Sequence, residues 1–193
     1  MKKITVVFLF ALCPLIPVSA RFAYGLILAV AMCWYLVAGI LVRELVKRLD
    51  IGATGPTIEL VSLALSATAF YLALSAYSPV NSVSLGLYIF ITAFSYLILL
   101  GIDTFSPDDA VAVPLLQVVP VLLFFSALRE ILGFGTISLP VPDGLRLIEI
   151  LPGFSGYGLG FWGTTGGALI LLSFLAWTIK YLHRRIATFR RNL

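Results

Sequence analysis

The chain alternates long uncharged stretches with short charged ones. Residues 4–20, 22–42, 60–102, 110–128 and 150–179 contain no Asp, Glu, Lys or Arg. A membrane-spanning helix needs about 20 predominantly apolar residues. Residues 60–102 are long enough for two, and the polar, proline-containing YSPVNS at 77–82 is the natural turn between them. The pattern therefore predicts six helical segments, at 4–20, 22–43, 58–77, 83–102, 110–130 and 159–182. No polar linker is long enough to separate soluble domains, so one all-α integral membrane domain is expected over 1–193. Residues 133–158, rich in Gly and Pro, read as its longest connection.

Composition strengthens that reading. Hydrophobic residues make up 61% of the 193 and charged residues only 11%, against about 25% charged in a typical soluble domain. The net charge of +4 does not point to nucleic acid, because the basic residues lie between apolar runs and at the ends, where they act as topology signals. With six spans and the N-terminus inside, ten basic residues fall on the cytoplasmic side: Lys2, Lys3, Arg43, Lys47, Arg48, Lys180, Arg184, Arg185, Arg190 and Arg191. Three fall outside: Arg21, Arg129 and Arg146. Both termini are expected in the cytoplasm. Two cysteines do not make a disulfide framework, and a single His with scattered acids offers neither a zinc site nor a triad. No glycine-rich nucleotide fingerprint is present, and no catalytic residue is assigned.

An internal repeat is suggested by AGILVRELVKRL (38–49) and FSALREILGFG (125–135). Their Arg-Glu pairs, Arg43-Glu44 and Arg129-Glu130, stand 86 residues apart across an odd number of expected spans. Two inverted-topology three-helix halves would result, about 1–78 and 79–193, an arrangement that often places a working site at discontinuous helices near the midplane. Chance is the competing explanation, since Arg-Glu among leucines is common at helix ends. These pairs would then anchor helix ends or meet neighbouring helices.

FLFALCPLIPVSAR (8–21) has three readings. Behind Lys2 and Lys3 it resembles a secretory signal ending in a small-residue site. Its cysteine could carry a lipid, although Phe10-Ala11-Leu12 lacks the small residue expected before such a site. Alternatively, Pro14 and Pro17 break a helix, and Cys13 is presented at the break as a metal ligand. Under the repeat, the counterpart of Cys13 falls near 96–99, where Tyr96, Leu97, Ile98 and Leu99 offer no thiol.

ALCPLIPVS (11–19), LVREL (41–45) and above all ALREILGFGTIS (127–138) resemble the paired membrane subunits of two redox-driven ion pumps. These are the Rnf complex (ferredoxin:NAD oxidoreductase) and the Nqr complex (sodium-translocating NADH:quinone reductase). The likeness extends over nearly the whole chain and is nearest the Rnf E or Nqr D member. It implies six spans with broken half-helices, a homologous partner subunit of opposite topology, and a [2Fe-2S] cluster held by cysteines from both subunits. It further implies a bacterial or archaeal inner membrane. Cys13 matches the first-half ligand. Tyr96 stands where the second is expected, and Cys33 matches neither, so the resemblance also leaves room for a relative that keeps the scaffold without the cluster. A small inverted-repeat transporter is the reading from another class. GTTGGA (163–168) suits close helix contact, and KYLHRRIATFRR (180–191) reads as a cationic surface segment with His183 facing solvent.

Overall fold

The computed structural model describes residues 16–49, 54–101, 112–151, 159–174, 177 and 181. Four long helices are α1 (Phe22–Leu49), α2 (Gly55–Tyr77), α3 (Pro79–Gly101) and α4 (Ala112–Phe134). A shorter one, α5, covers Thr165–Phe174. Two 3-10 turns, Val18–Ala20 and Leu159–Gly163, precede α1 and α5, and a hairpin of β1 (Thr136–Val141) and β2 (Gly144–Glu149) follows α4.

This architecture corrects the six-span, all-α, inverted-repeat expectation. Among the described residues only two helical stretches, Phe22–Val46 and Thr57–Tyr77, are long and apolar enough to cross a membrane. The described apolar stretches Pro79–Ser95 and Thr165–Phe174 are shorter, and residues 16–20, expected to finish a first span, form a turn and a 3-10 helix. The cause lies in counting uncharged runs. An apolar run can serve protein packing as well as lipid contact, and α3 and α4 bury Leu85, Ile89, Val118, Leu122 and Phe125 inside the fold.

The repeat fails in the same place. α1 continues past Glu44 to Leu49, whereas α4 stops at Phe134, four residues after Glu130. Gly135 then takes φ 68°, a left-handed conformation that glycine adopts without a Cβ penalty and that commonly ends helices. Its N–H donates to the Ile131 carbonyl at 2.9 Å, and its own carbonyl accepts from Ile150 and Leu151, both at 3.0 Å. The chain thus turns from helix into strand. β1 and β2 pair antiparallel from Thr136↔Glu149 to Val141↔Gly144, closed by Pro142-Asp143, with Gly144 at φ 131°.

α1 is the central element, packing on α2, α3, α4 and β1. Leu28, Ala31, Met32 and Tyr35 on one face meet Ala67 and Leu74 of α2, Leu85 and Ile89 of α3, and Val118 and Leu122 of α4. The alanines let helices approach closely. Tyr35, fully buried, donates its hydroxyl to the Ile89 carbonyl at 3.2 Å, as a buried phenol requires. The outer surface is different: Leu60, Val61, Leu65 and Leu72 of α2 are exposed.

The hairpin is fastened to the α2–α3 corner by Asn81, itself fully buried. Its Nδ2 donates to Ser78 Oγ at 2.8 Å and to the Gly144 carbonyl at 2.9 Å, while Ser78 Oγ donates to the Val141 carbonyl at 3.1 Å.

The approach of α5 to the preceding 3-10 turn gives a direct test. A Cβ on Gly167 would overlap the Phe161 carbonyl oxygen and lie 2.8 Å from Trp162 Cα, whereas one on neighbouring Gly166 would meet only Thr164 Oγ1 at 3.9 Å. Gly167→Ala should cost about 1–3 kcal/mol, the usual penalty of overpacking, and Gly166→Ala far less. Thermal unfolding of the two purified variants in the same detergent checks the order; equal midpoints would refute this packing.

Candidate functional site

The last two turns of α4 carry two adjacent, fully buried charges, Arg129 and Glu130. Neighbours on a helix point about 100° apart, so they reach different segments.

Arg129 faces the two 3-10 turns. Its Nε donates to the Trp162 carbonyl at 3.0 Å. Nη2 donates to the carbonyls of Gly163 and Thr164 at 2.8 and 2.9 Å. Nη1 donates to the Ile16 carbonyl and to Ser19 Oγ, the latter at 3.0 Å. A guanidinium has five N–H donors, and all five are used. Burial pulls this group below the ordinary arginine range, but an arginine keeps its charge in proteins.

Glu130 faces the start of α1 and the hairpin. Oε2 accepts the Phe22 N–H at 2.5 Å and the Ser138 hydroxyl at 2.8 Å. Oε1 accepts from Arg21 Nη1 and Thr136 Oγ1, both at 3.3 Å. Ser138 Oγ in turn accepts the Ala23 N–H at 3.1 Å, and the Arg21 carbonyl accepts Tyr24 and Gly25 N–H at 3.2 Å each. The first four N–H groups of a helix lack intrahelical partners; here all four are satisfied, two through Glu130 and its neighbour. A carboxylate at a helix N-terminus also opposes the positive end of the helix dipole.

Arg21 completes the cluster. Its guanidinium lies 4.2 Å from the centroid of the Phe134 ring, and its carbonyl also accepts from Ser126 Oγ at 3.2 Å. Gly25 is required opposite Ser126, since a Cβ there would meet Ser126 Oγ at 2.5 Å. Chemically the arrangement is a clasp. Each polar atom of Arg129 and Glu130 is engaged from within the chain, which suits holding segments together and leaves no open valence for a substrate or a passing ion.

The other Arg-Glu pair has no such surroundings. Glu44 is exposed and, among the described residues, ion-pairs with Arg48, one turn on, at 3.1 Å, and Arg43 is half-buried. The shared dipeptide thus serves two unrelated purposes. Sequence reasoning marked Arg129 and Glu130 but missed Ser19, Arg21, Ser126, Thr136 and Ser138. A signal for two of these was present, since Thr136 and Ser138 follow Glu130 by six and eight residues in one motif.

Cys13 lies outside the described residues, as does His183. The backbone of Tyr96 belongs to α3, and its side chain lies outside the described set. Cys33, on α1, is the one described cysteine. Iron–sulfur clusters are normally held by four Cys thiolates, and the described residues bring no three of His, Cys, Asp and Glu together. The ligand that the resemblance implies, Cys13, is not among these residues, and no redox step is assigned to them.

An apolar cavity of about 200 Å³ opens between α1, α2 and the hairpin, walled by Leu26, Ile27, Phe70, Leu74 and Pro140.

Fold and site together define a mostly helical protein, with two helices able by length and composition to cross a membrane, locked by a buried arginine–glutamate clasp. No family model matches the chain. It is 30% identical over 182 residues, 93% of this chain and 90% of the other, to an uncharacterized protein of Treponema pallidum (strain Nichols), and it belongs to that protein's family.

The contrast between the two Arg-Glu pairs is measurable. Arg129→Lys removes a planar fork and leaves buried carbonyls unpaired, at about 1–3 kcal/mol for each acceptor lost. Glu130→Gln withdraws the charge and turns an amide donor toward N–H groups, and should also destabilise. Glu44→Gln, at an exposed position, should stay within about 0.5 kcal/mol, as surface changes do. Thermal unfolding of the three variants decides it: a stable Arg129→Lys protein would mean the clasp does not hold the fold.

Proposed function

We propose that this chain is a membrane subunit of a redox-driven, ion-translocating electron-transport complex of the Rnf or Nqr type, and that its part there is structural. It sits in a bacterial or archaeal inner membrane beside a homologous subunit of opposite orientation, with both termini cytoplasmic, and helps complete the assembly.

The complex is suggested by the resemblance of residues 11–19, 41–45 and 127–138. The structural role rests on one observation: Arg129 and Glu130, the charged residues of the most specific of these stretches, spend every donor and acceptor on their own chain. A charge inside a membrane protein commonly marks an ion path or proton relay. A residue that serves ions needs an exchangeable partner, and these two have fixed ones. The exposed leucines and valines of α2 then supply surface for lipid and for a neighbouring subunit.

The test is purification of the tagged chain from native membranes in mild detergent, followed by cross-linking and mass spectrometry. A membrane subunit homologous to this chain should co-purify in stoichiometric amount, together with redox-active subunits. Recovery of the chain free of any redox subunit would end this reading. In the assembled complex, Cys13→Ala should leave both assembly and iron content unchanged. Loss of one cluster's iron would place the chain at the cluster and refute a purely structural part.

A further inference from the structure

From Thr165 to its end the chain has no Asp or Glu. Its basic residues, Lys180, Arg184, Arg185, Arg190 and Arg191, all come after Ile179. Polarity thus changes abruptly along one continuous stretch, from ALILLSFLAWTI (168–179) to KYLHRR (180–185). At this change three aromatic side chains share one helical face. The rings of Phe174 and Trp177 are 6.0 Å apart and tilted by 36°. Those of Trp177 and Tyr181 stack at 5.7 Å, with 20° between their planes. The spacing of three and then four residues is that of one helix face, and the contacts show the ladder formed. All three rings are also exposed, at 66%, 62% and 49%.

An exposed ladder of this kind fits an environment that is apolar on one side and wet on the other. Trp and Tyr are amphipathic, and in membrane proteins they gather at the headgroup level. Lys and Arg beside them attract lipid phosphates. The order along the chain matches a passage out of lipid: Phe174, with no polar atom, comes first, then Trp177 and Tyr181 with their N–H and O–H, then the cations. We propose that the Phe174–Trp177–Tyr181 ladder is an interfacial anchor. It fixes Trp177 and Tyr181 in the headgroup layer of a phospholipid bilayer and leaves Phe174 toward the acyl chains. This rests on the membrane reading above and adds to it a depth register for the end of the helix.

Trp34 supplies an internal reference. It lies near the middle of Phe22–Val46, the more apolar of the two candidate spans, and is half exposed. Two single-tryptophan proteins, one keeping Trp177 (Trp34→Phe, Trp162→Phe) and one keeping Trp34 (Trp162→Phe, Trp177→Phe), are reconstituted as full-length chains. The vesicles are phosphatidylcholine and phosphatidylglycerol, with acyl chains brominated either near the carbonyl or near the methyl end. Trp177 fluorescence should be quenched at least about twofold more by the shallow label, and Trp34 more by the deep one. Trp34 quenched by the deep label while Trp177 escapes both, or follows the deep label, would overturn the anchor and leave the membrane reading intact. Escape of both tryptophans would overturn the membrane reading itself. If either double variant fails to fold, Trp177→Phe alone in the three-tryptophan chain is read instead. It should remove the shallow-quenched component, and persistence of that component refutes the anchor.

Discussion

The fold turns on how two opposite charges, adjacent on α4, are each neutralised by backbone. Arg129 takes carbonyls at the end of one 3-10 turn and beside another. Glu130 takes an N–H at the start of α1 and two hydroxyls of β1. Arginine is suited to the first task because its planar fork satisfies several acceptors at fixed angles, and a carboxylate to the second because helix starts present unpaired donors. Taking two charges out of water is expensive unless their remaining donors and acceptors are satisfied. Here they are, and the Arg21–Glu130 contact at 3.3 Å adds a partly exposed cation to the acid.

This clasp supplies what the apolar surfaces do not. Burial of hydrocarbon is non-directional, and between helices in lipid its driving force vanishes because the tails are as apolar as leucine. The core of α1, α2, α3 and α4 therefore does not by itself select one register. Residues 16–19, 21–23, 136–138 and 162–164, remote in sequence, are brought to one point by directional bonds, and the close contacts at Gly25 and Gly167 become possible only once that point is set. Packing provides bulk stability, and the polar cluster provides uniqueness.

The sequence made some of this legible. The apolar runs announced helices where α1 and α2 lie, and YSPVNS marked the corner at Ser78. The Arg-Glu motif stood out, but its meaning did not, because a dipeptide at a helix end looks the same whether it meets water, as at Glu44, or two other segments of the same chain, as at Glu130. The hairpin was invisible for a different reason. ISLPVPDGLRLIE (137–149) has the turn chemistry of Pro-Asp-Gly, yet its strands show no consistent inside and outside, and β2 is exposed along most of its length. Periodicity finds elements that bury one face. This hairpin is held by Asn81, Ser78 and Gly135 through its backbone instead.

That distinction bears on what the likeness to Rnf and Nqr subunits can mean. In residues 126–138, Ser126, Arg129, Glu130, Phe134, Gly135, Thr136 and Ser138 each have a contact or a conformation that fastens α4 to α1, to the hairpin or to the 3-10 turns. The proposed likeness over this stretch is accounted for by the demands of one fold. Under the proposed reading, redox chemistry would reside elsewhere, at Cys13 and at the position of Tyr96. The two properties are physically separable: the contacts made by residues 126–138 hold the fold whichever side chain stands at position 96. Under the proposed reading, an Arg129–Glu130 clasp with every donor and acceptor engaged is what the shape of such a subunit demands, and that demand involves no iron.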